Sequence, residues 1–226
     1  MLANTAGLVF IFFGVVSLFA VAIGIAWHFH AEKKRTEAMR NAAVQQGLPF
    51  FDKGDPSLIN ELSHFQLFSQ GRSRKIKNIV HGNTAEGEVG IFDYQYASGG
   101  RNSTTFRQSV IYIQSAELNL PPFAMRPEDL FDRLGGYLGF QDIDFETHPN
   151  FSKIYLLKGQ NEEATRQLFQ EPILAHFESV KGINLEGSGV RFIYFRADTR
   201  IKPEELESFL QEGFHLYSLL RTTATR

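Results

Sequence analysis

Leu8–Trp27 reads LVFIFFGVVSLFAVAIGIAW. No residue in it is charged. Wound as an α-helix at about 1.5 Å per residue, it spans ~30 Å, the thickness of a bilayer's hydrocarbon core. The stretch predicts one transmembrane helix, and the rest of the chain must then fold as a body hung from its end. A cleaved signal peptide would carry a basic start, a shorter apolar core and a small-x-small cleavage site. Here the start is Met1-Leu2-Ala3-Asn4-Thr5, and the apolar run ends in Trp27-His28-Phe29-His30. An uncleaved anchor over 1–29 is expected.

Lys33, Lys34, Arg35 and Arg40 follow the apolar run, and no basic residue precedes it. Basic residues stay on the cytoplasmic side, so the amino terminus is expected outside and the large remainder in the cytoplasm. Lys33, Lys34 and Arg35 suit anionic lipid headgroups. Gly7, Gly14, Ser17, Val21 and Gly24 fall on one helical face, a stripe that lets a second membrane helix approach closely. Glycine is also common in membrane helices for its own sake. His28 continues that face. An intramembrane histidine can ligate a tetrapyrrole metal, but beside Trp27 at the helix end an interfacial hydrogen-bonding role suits it better.

Residues 30–48, HAEKKRTEAMRNAAVQQGL, are rich in strong helix formers and end at Gly47 and Pro49. Their apolar positions are sparse, so a basic helical stalk is expected that stays wet or touches a partner. Residues 49–226 suffice for one soluble domain with its own core. The chain of 226 residues has a net charge of −2, which favours neither nucleic acid nor an anionic surface in bulk. With no cysteine, disulfides, thiolate metal sites and a cysteine nucleophile are excluded.

Within 49–226, Pro56–Phe68 has near-helical apolar spacing behind Asp55 as a cap. The basic run GRSRKIKN (71–78) reads as a solvated loop with a membrane surface or RNA as possible contacts, and Lys77–His81 as a short strand. Glu88–Ala97 and Thr104–Gln114 read as a hairpin around Ser98-Gly99-Gly100-Arg101-Asn102. Leu120-Pro121-Pro122-Phe123 should break the sheet, and Pro127 should open a short helix ending at Gly135-Gly136. A strand over Lys153–Lys158 precedes a helix capped by Asn161, which Pro172 should split. Asn184–Glu186 and Gly189–Ala197 read as a second hairpin around Gly187-Ser188. Pro203 opens a last helix to about Arg221 with Leu206, Phe209, Leu210, Phe214, Tyr217 and Leu220 on one stripe. Paired strands with interspersed helices make an α+β fold: an antiparallel sheet with helices packed on one face.

The segment QDIDFETHPNF (141–151) carries the most suggestive chemistry. On a strand, Asp142, Asp144, Glu146 and His148 would share a face and could hold a divalent cation or pair a carboxylate with an imidazole. Alternatively, Ile143 and Phe145 point inward and the polar set merely faces water; same-face neighbours ~7 Å apart diverge, whereas a metal site converges. No serine sits in a nucleophile elbow, and the glycine-rich segments lack phosphate-loop or dinucleotide context. The aromatic set Phe92, Tyr94, Tyr96, Phe106 and Tyr112 fits sheet packing better than base stacking.

The stretch DIDFETHPNFSKIYLLKGQNEEATRQLF (142–169), with the EGSG hairpin and terminal helix behind it, resembles a group of bacterial single-pass membrane-anchored proteins of unknown function. The resemblance is one of general pattern over about 142–220, and it implies an anchored cytoplasmic domain at a bacterial inner membrane. It brings no activity or site residues. The expected role is non-catalytic: an accessory, scaffold or assembly subunit that meets the bilayer and another membrane protein, without cofactor or nucleic acid. The competing readings are a tethered metal-dependent hydrolase using 142–148 and a domain sensing a small molecule or lipid in an apolar pocket.

Overall fold

The computed structural model describes residues 2–54, 56–100, 103–128 and 141–224. One helix, α1 (Leu2–Gln45), runs through both the apolar stretch and the expected stalk. It stops where glycine allows the left-handed turn that closes a helix. Gly47 has φ of 67°, and Gly47 and Leu48 donate their amides to the carbonyls of Val44 and Ala43. That is the Schellman closure, and Pro49 prevents continuation. One face of the stalk does not stay wet, and what it touches is the chain's own body. Met39 and Ala43, one turn apart on α1, are fully buried against the sheet and the last helix.

After α1 come β1 (Phe50–Lys53), α2 (Pro56–Glu61), α3 (Gln66–Ser69), β2 (Arg72–Asn83), β3 (Glu88–Ser98), β4 (Thr104–Gln114) and β5 (Leu120–Pro127). Then follow β6 (Gln141–Asp142), α4 (Pro149–Ile154), β7 (Tyr155–Gly159), α5 (Glu162–Leu168), α6 (Glu171–Ser179), β8 (Ile183–Gly189), β9 (Arg191–Arg196), a 3₁₀ turn (Pro203–Glu205) and α7 (Leu206–Ala224). The described strands form one sheet in the order β1-β2-β3-β4-β9-β8-β5-β7-β6. Every neighbouring pair is antiparallel. The fold is α+β.

Alternation along the strands builds two cores. Val89, Ile91, Ile111, Ile113, Leu185, Phe192 and Tyr194 face α1, α5, α6 and α7. Phe92, Tyr94, Val110, Tyr112, Ile193 and Phe195 face the other way and are covered by Leu62, Phe65, Leu67 and Phe68 of the α2–α3 segment. Helices therefore flank both faces, not one as expected. The reason is the aromatic half of β3 and β4, which needs its own cover. The aromatic set packs the sheet. Phe68 lies 4.7 Å from Tyr94 between ring centroids, and Tyr96 stacks on Phe106 at 5.2 Å.

The first hairpin forms from the two expected strands, pairing from Glu88↔Gln114 to Ser98↔Thr104. Asn161 caps α5, its side chain accepting from the Ala164 amide at 3.1 Å. Pro172 lies in the first turn of α6, so the helix is split there. Four expectations fail locally. The basic run 71–78 is not a loop but the start of β2, hidden from a period-two reading by two register shifts. Pro121 and Pro122 do not break the sheet; they fall in a register shift between Leu120 and Phe123, where a missing amide costs no ladder bond. The second hairpin turns at Gly189-Val190, since Ser188 pairs with Arg191 and Gly189 supplies φ of 59°. Pro56–Phe68 is two short helices with Leu62 and Phe65 buried between them. The helix expected after Pro127 lies outside the described residues.

Candidate functional site

The junction of α1 with the sheet holds the densest polar network among the described residues. β3 carries one carboxylate in an otherwise apolar inward run, Asp93, and α1 brings Arg35 to it. The Arg35 guanidinium grips it in a two-pronged pair: Nε donates to Oδ2 and Nη2 to Oδ1, each at 2.7 Å. The remaining nitrogen, Nη1, donates to the Ile201 carbonyl at 2.9 Å. Asp93 also accepts from Asn78 Nδ2 and from Ser109 Oγ, both at 2.8 Å. Ser109 Oγ accepts from the Ile201 amide at 3.1 Å, and Thr36 Oγ1 donates to Asn78 Oδ1 at 2.8 Å. Asn78 takes a left-handed φ of 52° at the β2 bulge, a conformation that asparagine tolerates.

The Arg35 and Asp93 side chains are 14% and 8% exposed. Charges so deeply placed persist only when paired and hydrogen-bonded; here each ion has the other as its partner and further hydrogen bonds from or to the surrounding residues. A second ion pair, Arg200 to Glu32 at 2.9 Å, lies one turn nearer the apolar end of α1. A third, Arg40 to Asp52, lies farther along, with Arg40 over the Phe50 ring at 4.8 Å. Together they fix the depth and rotation of α1 on the sheet.

Three hollows meet at Arg196, near the end of β9. One of about 360 Å³ lies between Ser109, Thr199, Ser208 and Glu212. One of about 370 Å³ is lined by His176, Tyr194, Gln211 and His215. The third, about 620 Å³, opens past Lys153, Lys181 and Glu128. The Arg196 charge is already met by Glu212 at 3.0 Å, and the Tyr194 hydroxyl donates to the same carboxylate at 2.5 Å. Burial, reinforced by that hydrogen bond, pushes the Tyr194 phenol well above its usual range. Burial also lowers His176, helped by His215 nearby and opposed by Glu212. These groups hold each other in place; none is an activated nucleophile beside a base.

No protein-family model matches the chain, and no curated protein matches it. In three dimensions it is similar to the crystal structure of the mycobacterial trehalose monomycolate transport factor A, TtfA. The TM-score is 0.58 at 10% identity, over 84% of this chain and 93% of that chain. At that identity the likeness is one of fold.

The acidic segment does not converge. Only Gln141–Asp142 is strand; residues 143–148 leave the sheet and turn into α4. Asp142 pairs with Lys158 at 2.9 Å, and His148 Nε2 lies 2.9 Å from Glu171. Asp144 and Glu146 are exposed. Ile143 and Phe145 do point into the core, so the inward half of the pattern holds without a strand to carry it. Among the described residues no three His, Asp or Glu side chains gather as metal ligands would. On α1, Ser17, Val21, Gly24 and His28 are exposed, and nothing lies within 4 Å of a Cβ built on Gly24. Gly7 and Gly14 fall within the same helix. Lys33 and Lys34 are exposed. Arg35 is not available for headgroups, because Asp93 occupies its guanidinium. Sequence reasoning missed the role of Asp93, Asn78 and Ser109. The signal was present: a lone carboxylate between Phe92 and Tyr94 in a β-branched and aromatic strand.

Proposed function

We propose that this chain is a single-pass membrane-anchored accessory protein whose α+β body lies in the cytoplasm and works by contact within a membrane assembly. One observation carries the proposal: the apolar segment and the helix clamped by Arg35 and Asp93 are a single helix. By length and composition α1 can cross a membrane, and residues 15–30, the described side chains of its apolar end, are all exposed. A tether that only retains a protein at a surface needs no such clamp. A clamp is useful where the position of a membrane helix must be fixed relative to a folded body. The exposed Gly24, Val21 and Ser17 suit close approach by a second helix. The fold likeness to a protein described as a transport factor is compatible with an accessory role. The scattered acidic segment withdraws the support on which the hydrolase reading rested.

The test is extraction of the full chain from its own cells in mild detergent. A stoichiometric integral membrane protein should remain bound, and replacement of Asp142 and Asp144 with Asn should leave that complex intact. Recovery of the chain alone, or in the aqueous fraction, would count against the proposal.

A further inference from the structure

The folded body carries a basic face at the level where α1 leaves the apolar segment. Two pairs of contacts give the direction. Arg35 and Thr36 meet Asp93 and Asn78, whereas Leu48 lies against Gly82 and the Pro49 carbonyl accepts from the His81 amide. Going back along α1 toward the apolar segment is therefore going along β2, β3 and β4 toward the first hairpin's turn. The next row of the sheet in that direction, on the face that bears α1, is Lys75↔Gln95↔Arg107. Lys77 pairs with Asp93 in the row before it. Lys75, Lys77, Gln95, Arg107 and Arg200 line one notch with Glu32 of α1.

The charges in that notch do not cancel. Glu32 is taken by Arg200 and Asp93 by Arg35. Asp198, the other acid close by, accepts from the Arg107 backbone amide at 2.9 Å. Among the described residues no carboxylate pairs with Lys75, Lys77 or Arg107, nor with Lys33 and Lys34 on the adjoining turn of α1. Depth matches charge. Arg35 lies eight residues past Trp27, ~12 Å along the helix. The Lys75–Arg107 row lies two residues beyond Asp93 on the way back, ~7 Å. With α1 inclined to the strands, and with Glu32 of the same notch only five residues past Trp27, the row lies about 5–7 Å from the apolar end, the thickness of a headgroup layer.

Resting on the membrane-anchor reading above, we propose that Lys75, Lys77 and Arg107, with Lys33 and Lys34, form a docking surface for anionic phospholipid headgroups. The clamp holds this face at headgroup depth, so its charges meet the leaflet without an ordering cost for each side chain's parent segment. A basic residue near an anionic surface strengthens association about fivefold, so the three sheet residues together contribute on the order of a hundredfold.

The chain has no cysteine, so Gln95→Cys gives a single labelling site inside the row. The full chain, labelled there with an environment-sensitive fluorophore, is reconstituted in nanodiscs of phosphatidylcholine alone or with phosphatidylglycerol. The expected result is a blue shift on adding phosphatidylglycerol that high salt abolishes. K75Q alone, at an exposed position, should lose part of it, and K75Q/K77Q/R107Q, which leaves only Lys33 and Lys34, should lose most of it while melting as the parent does in phosphatidylcholine. Equal emission in both lipids overturns this inference alone, as does a full shift retained in both variants. A chain that does not enter the discs overturns the anchor reading and this inference with it.

Discussion

Asp93 accepts four hydrogen bonds, two of them from one guanidinium, in a place with little exposure to water. Removing Arg35 therefore leaves an unpaired buried carboxylate. Arg35→Met should destabilise the chain by about 3–5 kcal/mol, read by urea unfolding of the detergent-solubilised protein. The double variant R35M/D93N should recover part of that loss, because the lone charge is gone. A loss below about 1 kcal/mol for R35M would mean the pair is solvated. His176 gives a pH signature. Burial first, and His215 second, hold it below its usual 6.5, with Glu212 pulling the other way. The unfolded chain then takes up this proton at higher pH than the folded one. Stability from this residue is level above the unfolded value, falls as pH drops through about 6.5 toward the folded value, and levels off below it. H176Q should flatten that part of the acid slope, compared by urea unfolding at about pH 7.5 and pH 5.5. Identical slopes in parent and variant would contradict it. At this scale the sequence was partly legible. The Asn161 cap showed because its chemistry is local. Asp93 did not show as a site, because its partner lies 58 residues away.

Elements were legible where one periodicity runs unbroken. β3 and β4 alternate through eleven paired positions without a shift, so their hairpin could be drawn from composition alone. β2 interrupts its alternation twice, and its exposed basic start mimics a loop. β5 hides behind two prolines that the bulge accommodates. Packing inside the sheet yields a contrast between two glycines. A Cβ on Gly90 would run into the Tyr112 ring, which its hydroxyl pins to Glu88. Gly90→Ala should cost the more of the two, about 2–3 kcal/mol in the same unfolding assay. Gly189 has open space around it and only its φ of 59° to defend, so Gly189→Ala should cost about 1 kcal/mol. Equal costs at the two sites would contradict the packing described for β3 and β4.

For the whole molecule, the length of the apolar run and the paired strands made the anchor expectation and the α+β class readable. The burial of the stalk was not readable: Met39 and Ala43 are too few and too small to announce a core face. Nor was the scatter of Asp142, Asp144, Glu146 and His148, since alternation in sequence does not require a strand. Because α1 is one clamped helix, the apolar face is in phase with the sheet. Two alanines inserted between Phe29 and His30 turn that face by about 200° and should release a bound membrane partner; four bring it back to within ~40° and should restore binding. Loss with both insertions, or with neither, would separate the helix face from the contact. The most direct measurement is copurification in mild detergent of the full chain against one whose Leu8–Trp27 is replaced by an unrelated apolar helix of the same length. The account predicts that both chains stay in the membrane and that only the native helix retains a stoichiometric partner; equal retention by both helices, or none by either, would contradict it.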